Sequence, residues 1–211
     1  MTDKLSLYNG ALRKIKQRRL ASLSEDTPAR YYLDDEYDKT VQYCLETGHW
    51  NFATRSTRLE PSTDIESAWG YSYAFEKPED YLRLSMISAN DRFQPILDDF
   101  RDEADYWLTD TSLLYISYIS NSTSYGLDLG RWPQTFVDAV EYELAYRIAP
   151  HLTTMGDPEA RELERRRASS MTNAKSKDAQ NGAVEYLPPG RLVQSRLGKY
   201  GSSRNWQRRE S

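Results

Sequence analysis

The side chains best suited to chemistry are scarce or scattered in this sequence. There are two histidines, His49 and His151, far apart along the chain, and one cysteine, Cys44. A structural zinc site takes about four sulfur or nitrogen ligands at short spacing, so these three residues imply no metal. His49 stands between Gly48 and Trp50, the place of a helix-end or packing residue. His151 follows Pro150 at the end of a helix, where a cation suits the dipole. No Walker loop, GxGxxG or HExxH run occurs, and no cofactor is implied. The acids Asp34-Asp35-Glu36 and Asp98-Asp99 are adjacent, but a glycosidase couple is defined by separation in space. In a chain with 32 acids such runs read as solvated faces. Arg161, Arg165, Arg166 and Arg167, with Lys175 and Lys177, are candidates for phosphate binding. Glu159, Glu162 and Glu164 interleave with them, which makes local ion pairs the simpler account. The expectation is a protein that is not an enzyme.

Composition points the same way. A chain of 211 residues fits one domain with a real core. Its hydrophobic share of 38 % is low, and 16 tyrosines fill part of the deficit. Tyrosine has an apolar ring and a polar tip, which suits surfaces that become interfaces. The lone cysteine excludes an internal disulfide framework and fits a reducing cytoplasm. The start, MTDKLSLYNGALRKIKQ, lacks the apolar stretch of a signal peptide, and no run approaches a membrane span. Residues 182–211 carry six basic and two acidic residues (net +4) against −4 for the whole chain, which leaves −8 for residues 1–181. A basic tail on an acidic body calls for an acidic partner, either nucleic acid or a neighbouring copy of the body.

The elements that must position these residues follow from periodicity. Leu5, Tyr8, Leu12 and Ile15 form one apolar stripe and predict a helix over about 3–19. A second is expected over about 28–47, capped by Asp26 or Thr27, started by Pro28 and ended by a left-handed Gly48. Its stripe is Leu33, Tyr37, Val41 and Cys44 or Leu45. A third, over about 133–152, carries Phe136, Val140, Leu144 and Ile148 with Val137 and Ala145 beside them. A fourth, over about 157–179, opens with Asp157-Pro158-Glu159 and has a thin apolar face of Ala160, Leu163, Met171 and Ala174. Within residues 50–120 the period changes to two, and aromatic and β-branched runs predict a sheet of four to six antiparallel strands starting at Trp50. The fold class is therefore α+β: about four helices with an inserted antiparallel sheet, over residues 1–180. Residues 181–211 have no sustained period and scattered apolar anchors. An extended arm that orders on a partner accounts for this, with a disordered C-terminus as the alternative.

Three stretches carry a resemblance. Cys44-Leu45-Glu46-Thr47-Gly48-His49-Trp50-Asn51-Phe52-Ala53-Thr54-Arg55, Tyr73-Ala74-Phe75-Glu76-Lys77-Pro78-Glu79-Asp80-Tyr81-Leu82-Arg83-Leu84 and Trp132-Pro133-Gln134-Thr135-Phe136-Val137-Asp138-Ala139-Val140, running on through Leu144-Ala145 to Ile148-Ala149-Pro150, occur in this order. Together they resemble the head-to-tail adaptor proteins of tailed phages, in particular the tail tubular protein A family, over roughly residues 5–175. The resemblance implies a virion protein assembled in the host cytoplasm as a homo-oligomeric, dodecameric ring. One face would bind the portal protein and the other a tail nozzle or further tail protein. DNA would pass through the channel without sequence specificity, and no membrane is involved. It also implies an arm reaching along the portal; the resemblance itself does not cover residues 181–211, and the composition of that tail makes Leu187, Pro188, Pro189, Leu192, Leu197, Tyr200 and Trp206 the expected contacts, with Arg191 and Arg196 supplying charge pairing. The rival functions are an adaptor with peptidoglycan-hydrolase activity and a DNA-binding module using the basic tail.

Overall fold

Asp3 starts the first helix, α1 (Lys4–Lys14), through a capping box: its carboxylate accepts the Ser6 N–H at 2.8 Å, and Ser6 Oγ accepts the Asp3 N–H at 3.1 Å. The computed structural model describes residues 3–63, 65 and 70–181. The chain divides into Met1–Asn181 and Gly182–Ser211, and the description concerns the first unit.

α1 ends well before residue 19, the expected limit. Lys16 takes the left-handed conformation (φ 59°), its N–H donates to Arg13 O at 3.1 Å, and Gln17 N–H donates to Leu12 O at 2.9 Å. This is a Schellman closure with lysine where glycine is usual. The Asn9 side chain then catches the returning chain, accepting Leu20 N–H at 2.8 Å and donating to Leu20 O at 3.1 Å.

α2 (Pro28–Thr47) begins at its proline, while the Thr27 side chain makes no capping bond. Gly48 is extended (φ −136°, ψ 168°), not left-handed as expected. Residues Asn51–Ala53 form a single 3-10 turn, so the first strand starts only at Thr54 and Trp50 and Phe52 do not alternate along it.

The six strands are β1 (Thr54–Leu59), β2 (Tyr73–Glu76), β3 (Tyr81–Ser88), β4 (Arg101–Asp102), β5 (Tyr106–Thr109) and β6 (Leu114–Ser120). They make two antiparallel three-stranded sheets, β1-β6-β3 and β2-β5-β4, where one sheet was expected. Burial explains the split. Phe75 and Trp107 of one sheet and Ile87, Leu114, Ile116 and Tyr118 of the other close on a shared core, which a single flat sheet would leave open on one face. β6 is covered on both sides, because its neighbouring Ile119 belongs to the core on the helical side. β3 shifts register twice, at Tyr81/Arg83 and Leu84/Met86. In consequence Leu82 packs on the helix-side core and Leu84 on the core between the sheets.

α3 (Gln134–Leu152) packs against α1, α2 and α4 (Asp157–Asn181). Its expected stripe of Phe136, Val137, Val140, Leu144, Ala145 and Ile148 is buried throughout. α4 buries Leu163, Ala174 and Asp178, while the expected core residue Ala160 is exposed. The fold is α+β. Among the described residues no helix is long and apolar enough to cross a membrane.

Candidate functional site

The three stretches that carry the resemblance meet at the junction of helices and sheet. Phe136 lies 4.7 Å from the Trp50 ring, 4.8 Å from Phe52 and 4.9 Å from Trp132, with two of the contacts edge-on. Leu82 packs on the same cluster. Both indoles of this cluster are satisfied: Trp50 Nε1 donates to Cys44 O at 2.9 Å and Trp132 Nε1 to Gly126 O at 2.8 Å. Gly126 is required there, since a Cβ would stand 2.1 Å from Ser120 O.

Asp80 ties the turn before β3 to the sheet. Its Oδ1 accepts the Tyr118 hydroxyl at 2.8 Å, and its Oδ2 accepts Ser120 Oγ at 2.5 Å and Arg55 Nη1 at 2.9 Å. Burial alone would raise this carboxyl, but the hydrogen bonds from Ser120, Tyr118 and Arg55 outweigh it and hold it below the usual carboxylate range. Tyr118 is pushed up, by burial and by its bond to Asp80.

Most of the residues singled out for chemistry are engaged in packing or local pairing, while His49 is exposed. Cys44 is buried, and burial pushes its thiol up. His151 stacks on Tyr32 at 4.8 Å, and His49 is lowered by desolvation and by Arg83. Asp34 accepts the Tyr8 hydroxyl at 2.7 Å and Arg30 Nη1 at 2.6 Å; against the effect of burial these partners and Lys4 hold it low. Glu36 is lowered chiefly by Lys39 and, against desolvation, by Arg147. A general acid needs a raised pKa, and neither carboxyl has one. Asp98 and Asp99 are exposed, with Asp99 accepting the Tyr71 hydroxyl at 3.1 Å. The described residues hold no group of three or more His, Cys, Asp or Glu suited to a metal. Arg165 and Arg166 pair with Glu162, whose carboxyl they draw down to about 2.

Sequence reasoning missed three buried acids. Glu143 sits between Arg147 (3.1 Å) and Arg167 (2.9 Å), and Arg147 also reaches Glu36 at 3.4 Å, so one charge cluster joins α2, α3 and α4. Glu141 pairs with Lys14 at 2.9 Å and lies against Gly10, where a Cβ would stand 2.0 Å from its carboxylate oxygen. Asp178, near the end of α4, accepts the Asn51 N–H at 2.8 Å, and its backbone carbonyl accepts Asn51 Nδ2 at 2.7 Å. Burial raises its pKa against that one bond. The available signal was spacing: Glu141 and Glu143 stand among the core residues of α3, and Glu143-Arg147 is a four-residue step.

The surface offers apolar and aromatic groups for contact. Tyr31, Tyr32 and Tyr43 on α2 and Tyr146 on α3 are exposed, and Ile96 is 62 % exposed. The expected arm contacts Leu187, Pro188, Pro189, Arg191, Leu192, Arg196, Leu197, Tyr200 and Trp206 lie outside the described residues. No family model and no curated protein matches the chain.

Proposed function

We propose that this chain is a subunit of the ring that joins a tailed phage's capsid portal to its tail, with DNA passing through the channel. The observation that carries the reading is the meeting of the first and third resembling stretches in one packing node, which the second joins through Leu82. Trp50, Phe52, Leu82, Trp132 and Phe136 come from distant parts of the sequence and together seat the helices on the sheet. The α+β layout fits the adaptor reading, and the exposed tyrosines suit a chain that assembles.

The test is the solution mass of the full chain, alone and mixed with the portal ring of its phage, with and without residues 182–211. The expected result is addition of about a dozen copies per portal, lost on removing the tail. Such closure draws on many weak contacts. A chain that ignores the portal in every form overturns the reading.

A further inference from the structure

Two features that weaken a fold coincide between α1 and α3. Gly10 stands inside α1, where glycine is a poor helix former. Glu141 of α3 is a carboxylate only 6 % exposed, and burial is costly to its charge. The two go together, because a Cβ on Gly10 would stand 2.0 Å from the carboxylate oxygen. The Lys14 ammonium lies 2.9 Å from Glu141 Oε2 and neutralises it, but that oxygen accepts no hydrogen bond among the described residues. A buried acceptor left in this state costs stability, and such departures from the local rules gather where a protein binds something.

Glu141 and Gly10 line a recess of about 470 Å³, a size that takes a small molecule. Arg13 of α1, Gln134 of α3 and Arg19, on the chain returning from α1, line it as well. These three side chains are exposed and have no hydrogen bond or ion pair among the described residues. Gln134 opens α3, whose first turn holds no acid and whose N-cap, Pro133, makes no side-chain capping bond. The positive end of that helix therefore adds to the two guanidiniums. Lys14 also pairs with Asp138 at 3.0 Å, so Lys14, Asp138 and Glu141 together carry one negative charge. With both arginines counted, the site is net positive.

We propose that this recess binds a small phosphomonoester that carries a free hydroxyl, the chemistry of a sugar phosphate. Unpaired guanidiniums present forked donors that match phosphate oxygens, and two of them suit a group with roughly two negative charges at neutral pH. The ligand hydroxyl donates to Glu141 Oε2, the acceptor left without a hydrogen bond. Lys14 already neutralises that carboxylate, so a neutral donor fits it better than a second cation, and an amino acid is disfavoured. DNA is the other source of phosphate. Its diester linkage has a single charge and no hydroxyl, and would leave Glu141 unmet. The site goes beyond the ring reading and does not depend on it.

The test is calorimetric titration of the full chain at low salt with glycerol phosphate, methyl phosphate, glycerol and a short DNA duplex. Glycerol phosphate should bind, methyl phosphate should bind more weakly for want of a hydroxyl, and glycerol should not bind. Arg13→Ala and Arg19→Ala change exposed positions, and each should weaken both phosphates about tenfold or more. Glu141→Gln, checked for folding by a thermal melt, should narrow the preference for glycerol phosphate. Where that variant does not fold, the parent's discrimination between the two phosphates decides the same point. Three results overturn the inference: a parent that binds neither phosphate, a parent that binds both equally, or arginine variants that bind like the parent. Duplex binding that falls in the arginine variants, with no binding of the small phosphates, also overturns it and assigns these arginines to the DNA backbone. Portal addition is measured separately. A chain that binds glycerol phosphate but ignores the portal keeps the inference and removes the connector reading.

Discussion

Asp80, beside the β1-β6-β3 sheet, and Asp178, near the end of α4, are both largely buried carboxylates, yet their environments push them in opposite directions. Asp80 collects two hydroxyl donors and a guanidinium, whereas Asp178 collects one backbone N–H on its carboxylate. Burial acts on both as a cost to the charged form; the number and charge of donors decide which effect wins. In the sheet region an ionised acid therefore holds a turn and two strands together. At the end of α4 a similar acid is tolerated more than it is used.

The largest test of this contrast is Asp80→Ala. It strands the Tyr118 and Ser120 hydroxyls and the Arg55 guanidinium, and should cost about 2–3 kcal/mol in urea unfolding at neutral pH. A loss under about 0.5 kcal/mol would mean that water replaces the carboxylate and that the turn is held by packing alone. The pH dependence sharpens the comparison. The folded pKa of Asp80 lies below its unfolded value, so its contribution is present above that unfolded value and is lost as pH falls through the folded one. Asp178 has its folded pKa raised, so its ionisation costs stability above that pKa, and the cost disappears as pH falls toward the unfolded value. The stability gap between parent and Asp80→Asn should thus shrink on acidification, while the parent should gain on Asp178→Asn. Slopes of the same sign in the two titrations would break the contrast. The smallest effect is Asp178→Asn at neutral pH. Asparagine keeps an acceptor for the Asn51 N–H and removes a buried charge, so stability should hold or rise by up to about 1 kcal/mol. A loss larger than that would show that the ionised carboxylate contributes to holding α4.

The apolar stripe of α3 was legible because a helix buried against three others repeats its core residues at the helical period. The pairing of Arg165 and Arg166 with Glu162 was legible for a related reason, since neighbours three and four apart meet on any helix surface. The end of α1 was not. Ile15 continues the stripe, and nothing in the local pattern marks Lys16 as the residue that turns left-handed. The turn is held by Asn9 reaching across to Leu20, a contact that periodicity does not record. The exposed Ile96 was also passed over, because a short polar-apolar run in a loop reads the same whether it is tucked in or presented.

The sequence by itself determined the helices α2 to α4, the antiparallel character of the strands and the α+β class, because these rest on periodicity and on local proline and charge signals. Only the tertiary structure decided that six strands form two sheets around a shared core. It also decided that Glu141, Glu143 and Asp178 lie buried, and that Arg13 and Arg19 line one recess. Each of these depends on which surfaces meet across long separations in the chain. Burial, donor supply and shape complementarity are properties of that meeting, and no local spacing of residues encodes them.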